Sequence, residues 1–96
     1  MFFLFLGYLL ILQPEHPFCN KKGYVRRSHL VIEKYLGRYL KNGETAHHRN
    51  KIKTDDRVKN LMAFVSNSAH MKFHHNPDNV KPEEIIFDGR NYYPTG

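Results

Sequence analysis

Tryptophan is absent from this 96-residue chain and cysteine occurs once, at Cys19. A single cysteine excludes an intrachain disulfide framework and any cysteine-built zinc ribbon or knuckle. No apolar run is long enough to cross a bilayer. Met1 to Leu12 is apolar or aromatic except for Gly7, but a spanning helix takes about 20 such residues, and Gln13-Pro14-Glu15 ends the run first. The same run lacks the positive start and the small-residue cleavage site of a secretory signal, so the expected setting is cytoplasmic, with a secreted or membrane-tethered protein whose first residues are a targeting segment as the other reading. Internal repeats and low-complexity tracts are also missing. At about 100 to 150 residues per domain, the length leaves room for one modest core.

Acidic residues are scarce where the bases are dense. The chain has 15 Lys+Arg against 9 Asp+Glu, a net charge of +6. Residues 21 to 72 hold thirteen of the bases and only four of the acids. Basic residues interleaved with apolar ones describe a folded surface that faces a polyanion, or equally a solvated face that keeps the protein soluble. A 41% apolar fraction rules out a wholly disordered chain. Seven histidines in so short a sequence suggest a bound metal as the staple that a small core without disulfides needs.

Turn signals divide the chain. Branched and aromatic residues predict a buried strand that starts near Gly7, and Pro14, Pro17 and Asn20 to Gly23 mark a loop. Gly23 to Arg27 is expected to pair back as a second short strand. Ser28 reads as the N-cap of a helix through Leu36, which Gly37 terminates. After a turn at Lys41 to Glu44, Thr45 to His48 reads as a strand and Arg49 to Lys59 as a polar loop. Leu61 to Val65 is a further strand, and Ser66-Asn67-Ser68 caps a helix to about His75. From Asn76 on, repeated X-Pro pairs describe a loosely organised tail with one extended piece, Glu84 to Asp88. The expected organisation is residues 1–76 as one domain with its core over about 44–75, and 77–96 as a C-terminal tail.

Five of the seven histidines lie between 47 and 75, as the pair His47-His48 and the run His70, His74, His75. Adjacent strand residues point to opposite faces, so only one of the pair can join a cluster with the helix. His70 and His74 are four apart on a helix and project from one side, the spacing that lets two imidazoles close on one ion. One strand histidine with these two gives three neutral nitrogen ligands and leaves coordination positions open, as a catalytic metal requires. His16, His29 and His75 are read as ordinary surface or core residues.

Taken together, Gly23-Tyr24-Val25, Ser28-His29-Leu30-Val31-Ile32-Glu33-Lys34, Leu36-Gly37-Arg38-Tyr39-Leu40, His47-His48, Asn60-Leu61 and Asn67-Ser68-Ala69-His70-Met71-Lys72 resemble the HNH endonucleases, especially the small phage and mobile-element type. The likeness extends over about Gly7 to His74. It implies an α+β chain with a ββα-metal core, an N-terminal β-hairpin and an additional helix. It also implies roles: His48 as general base, His47, His70 and His74 as ligands of one divalent ion, and Asn60 as the brace that holds the loop and orients His48. Relatives often carry Asn-Gly where this chain has Asn50-Lys51, and Asp-Asn-Arg where it has Asp55-Asp56-Arg57.

A phosphodiester hydrolase needs a water made nucleophilic near neutral pH, and histidine is suited to take that proton. A metal opposite it stabilises the charge that develops on phosphate and leaving oxygen. The implied function is thus metal-dependent hydrolysis of DNA, and the alternative is a DNA-binding module that keeps its metal only as a staple. Magnesium or manganese is the expected ion, with zinc or nickel suited to the imidazole set. DNA would be held through its phosphate backbone, with Arg38, Arg57, Arg49, Lys53 and Lys72 as the expected contacts. Arg38 and Arg57 have a second reading as ion-pair partners of nearby acids.

Overall fold

The computed structural model describes residues 2–90. It is an α+β fold of two three-stranded sheets and two helices. The first sheet holds β1 (Phe2–Phe5), β2 (Tyr8–Leu12) and β3 (Tyr24–Arg26), all antiparallel and in that order. The pairing of β2 with β3 is the hairpin expected from the sequence, with Leu10 opposite Arg26 and Leu12 opposite Tyr24.

β1 corrects the expectation of a single buried strand. The apolar run folds back on itself through Leu6 (φ 53) and Gly7 (φ 85), a two-residue turn with positive φ at both positions. Phe2, Leu4 and Phe5 on this edge strand and Leu6 in the turn are left well exposed, and only Leu10 of β1 and β2 is buried.

α1 (Arg27–Leu36) follows β3 directly. Its N-cap is Arg26, not Ser28; the Ser28 side chain is buried within the first turn instead. Gly37 (φ 73) ends the helix in the left-handed conformation, its N–H donating to the Glu33 carbonyl, a closure that glycine makes at no steric cost. His16 and Glu33 are both buried and meet at 2.7 Å. The other Glu33 oxygen accepts from the Leu40 N–H at 2.8 Å. This one carboxylate therefore ties the 13–23 loop and the segment after α1 to the helix.

The second sheet orders β4 (Thr45–His48), β5 (Leu61–Phe64) and β6 (Ile85–Asp88), again antiparallel. β5 is central and buried along its whole length, so its two-residue period feeds two separate cores. Leu61 and Ala63 pack with Ile32, Leu40 and Phe87 on the α1 side. Met62 and Phe64 pack with Ala69 and Val80 on the side of α2 (Asn67–His75). Ser66 caps α2, its hydroxyl accepting from the Ala69 N–H at 3.1 Å. The extended piece expected near Glu84 to Asp88 is β6, and Phe87 from it is part of the core. The Tyr-Tyr-Pro-Thr-Gly end of the tail lies outside the described residues.

Candidate metal centre

Strand register decides where each histidine goes. His47 lies opposite Met62 and His48 opposite Leu61, so His47 shares the face of β5 that packs on α2, while His48 shares the face that packs on α1. On the first face His47 meets both helical histidines. Its Nδ1 is 3.0 Å from Nε2 of His70, and Nε2 of His74 is 3.1 Å from that same nitrogen. One nitrogen from each ring lies within 4.8 Å of the other two.

This convergence is poor hydrogen bonding and good ligand geometry. An imidazole nitrogen carries either one proton or one in-plane lone pair, so Nε2 of His70 cannot serve two ring partners well. Two ligands at 2.0 to 2.1 Å from a tetrahedral ion, by contrast, sit about 3.3 Å apart. The three histidines are close enough to hold a metal ion.

The surroundings favour the neutral, ligating form. Burial pushes the His47 pKa down to about 4, with His70, His74 and Arg49 adding repulsion. Burial, then His74, also lowers His70. Phe64 and Phe73 wall the cluster, with the His70 ring stacked on Phe64 at 5.5 Å and 14° and Phe73 edge-on to His47 at 5.2 Å.

His48 is buried on the other face, its ring 6.2 Å from that of Tyr8. Both faces open at the strand end onto one cavity of about 150 Å³, lined by Tyr8, Ala46, His47, His48, Lys51, Lys53, His70 and His74. A wider groove of about 680 Å³ shares the 50–60 loop and is lined by Asn50, Arg57, Val58, Lys59, Asn60 and Arg90. It is the larger space, but it contains none of the histidines.

Asn60 is buried at the base of that loop and spans it. Its Oδ1 accepts from the Asn50 N–H at 3.0 Å. Its Nδ2 donates to the Asn50 side chain at 2.9 Å and to the Asp55 carbonyl at 2.8 Å. The loop so braced carries Lys51 at φ 64, a left-handed conformation that lysine adopts at a cost of about 1 kcal/mol or more. The His48 ring itself is held by another residue, Asp56, whose Oδ1 is 2.6 Å from its Nε2.

The five cations expected to contact phosphate are distributed differently from the expectation. Arg38 makes a two-pronged pair with Glu44 at 2.8 and 3.0 Å, which raises the arginine pKa and lowers the glutamate. Arg57 grips Asp55 with two bonds of 2.8 Å, holding that carboxyl well below its usual range. Arg49 pairs with Asp88 and Lys72 with Glu84. Lys53 alone of the five lines the cavity; its ammonium donates to the Leu6 carbonyl and lies 4.8 Å from the Tyr8 ring centre.

One cavity residue, Tyr8, escaped the sequence reading, as did the partnership of Asp56 with His48. Spacing does not distinguish Asp56 from Asp55, and Tyr8 reaches the site from another sheet. Set against family models, curated proteins and solved structures, the chain matches none of them.

Proposed function

We propose that this chain is a metal-dependent endonuclease of the HNH type, with β4, β5 and α2 as its ββα-metal core, acting on DNA phosphodiester bonds. The observation that carries the reading is the convergence of His47, His70 and His74 on one point, with His48 opening onto the same cavity without joining the cluster. A structural staple needs the cluster alone; hydrolysis needs a separate base beside it.

His47, His70 and His74 would hold the ion, from two elements that the β5 core fixes relative to each other. A divalent ion bound there supplies charge stabilisation to the phosphate and the departing oxygen. His48 accepts the proton of the attacking water from the cavity wall. Lys51 and Lys53 line the same space and are placed to neutralise the flanking phosphates. Lys59 and Arg90 along the wider groove extend that track for backbone contacts whose affinity falls steeply with salt. The three-imidazole set suits zinc, nickel or manganese by ligand type, and magnesium where phosphate oxygens complete the shell.

A plasmid-nicking assay tests this reading. Supercoiled DNA should be relaxed by the intact protein with divalent ion, spared when chelator is added, and spared by His48→Ala. Metal and DNA bound by the intact protein with no cut under any of the four ions would instead make the chain a binding module with a metal staple.

A further inference from the structure

The buried pair between His48 and Asp56 has a consequence for which ring nitrogen takes the proton, and this step rests on the nuclease reading above. Asp56 Oδ1 lies 2.6 Å from His48 Nε2, and the two side chains are 3% and 7% exposed. The other carboxylate oxygen, Oδ2, accepts from Arg27 Nε at 3.0 Å. Arg27 also donates through Nη2 to the Thr54 carbonyl at 3.1 Å, so the first residue of α1 clamps both Asp56 and the loop that bears it.

A carboxylate has no proton to give, so the short contact at Oδ1 requires the hydrogen to sit on Nε2 of His48. A neutral imidazole has one N–H and one lone pair. With Nε2 committed, Nδ1 is the only nitrogen left to accept a proton, and among the described residues it makes no hydrogen bond of its own. The ring meanwhile lines the cavity that the three-histidine cluster opens onto. We infer that Asp56 is a positioning residue: it fixes His48 as the Nε2–H tautomer and thereby makes Nδ1 the proton-accepting atom, with Arg27 holding Asp56 in place.

The balance is simple. Water gives one proton to Nδ1 as its oxygen bonds to phosphorus and the bond from phosphorus to the 3′ oxygen breaks, that oxygen taking a proton from solvent to leave as a hydroxyl. The ring becomes an imidazolium with both nitrogens protonated, which later returns its Nδ1 proton to solvent, and the Asp56 carboxylate faces the positive charge without taking a proton. Orienting partners of this kind are worth about 10- to 100-fold in activity where they have been removed. Asn60, the orienting group that the resemblance implied, makes its side-chain hydrogen bonds among the described residues to Asn50 and Asp55 of the loop.

The test is a long-range proton–nitrogen correlation spectrum of the full chain with zinc present, at a pH where His48 is neutral, assigned against His48→Ala. The expected result is a single Nε2–H form for His48, turning into a mixture in Asp56→Ala. Asp56→Asn is the isosteric control against misfolding. It leaves one oxygen for two donors, and should weaken the tautomer preference while keeping metal affinity. In the nicking assay Asp56→Ala should lower kcat by about 10- to 100-fold, with KM changed less than about threefold. An Nδ1–H form in the intact protein, or a tautomer indifferent to Asp56, overturns the proposal. Absence of cleavage by the intact protein would instead count against the nuclease reading, and the spectrum would still judge the Asp56–His48 pair.

Discussion

Removing His70 is the sharpest perturbation of the metal centre, because both other rings approach its Nε2, at 3.0 and 3.1 Å. Apparent binding energies of about 10 to 16 kcal/mol for four-ligand zinc sites correspond to roughly 3 kcal/mol per ligand, or about 100-fold in affinity. Consider zinc held at about 100 times the dissociation constant of the intact protein. The ion then stabilises the fold by about 2.7 kcal/mol, and at this chain length that is a rise in Tm of about 10 to 20 °C. At the same zinc concentration a His70→Ala variant sits near its own dissociation constant. Its gain is then about 0.4 kcal/mol, a rise of about 2 to 3 °C. Differential scanning fluorimetry with and without zinc reads both numbers. Comparing each protein with its own metal-free sample removes the separate cost of losing the ring that stacks on Phe64. A zinc-induced rise in His70→Ala within a few degrees of the intact protein's would refute the reasoning, since the ion would then be held elsewhere.

Three further outcomes follow from the geometry. Lys51→Gly should raise stability by about 0.5 to 1 kcal/mol, by relieving the left-handed lysine. It should also weaken DNA binding and reduce the salt slope by about one, and an unchanged slope would remove Lys51 from the phosphate track. His29 is half-buried, and its pKa is pushed down to about 4, first by desolvation and then by Arg26. The unfolded chain therefore takes up this proton first, and stability should fall between about pH 6.5 and 4 by roughly 2 to 3 kcal/mol. His29→Gln should flatten that part of a urea-melt pH profile, and an unaltered profile would place the sensitivity elsewhere. At Gly89 an added Cβ would lie 1.6 Å from the Val58 carbonyl oxygen, so Gly89→Ala should lower the midpoint of unfolding by several degrees. A neutral result would mean that the end of β6 does not pack against the loop that carries Asn60.

Local signals carried much of the architecture. Ser66 as a cap, the four-residue step from His70 to His74, and the alternation that sends His47 and His48 to opposite faces were readable because each depends on residues close in sequence. What escaped depends on contacts made across the fold. Arg49 and Asp88 are 39 positions apart, and Arg27 and Asp56 are 29, distances over which no periodicity speaks. The fold neutralises most of the cations that sequence proximity placed around the site, leaving Lys51 and Lys53 facing the cavity. The turn that splits the first apolar run into β1 and β2 was missed for a different reason. It uses Leu6 in a conformation that leucine seldom adopts, without the Asn-Gly or Asp-Gly pair that normally announces such a turn. Ser28 misled because a good capping residue one position inside a helix looks the same in sequence as one at its end.

The central claim concerns which imidazoles meet one cation and which stays apart, and anomalous scattering from a crystal soaked in manganese or zinc measures it directly. The account predicts one strong site bound by nitrogens of His47, His70 and His74, with His48 outside the shell and still paired to Asp56. An ion bound through His48, or sited away from the His70–His74 face of α2, would contradict it.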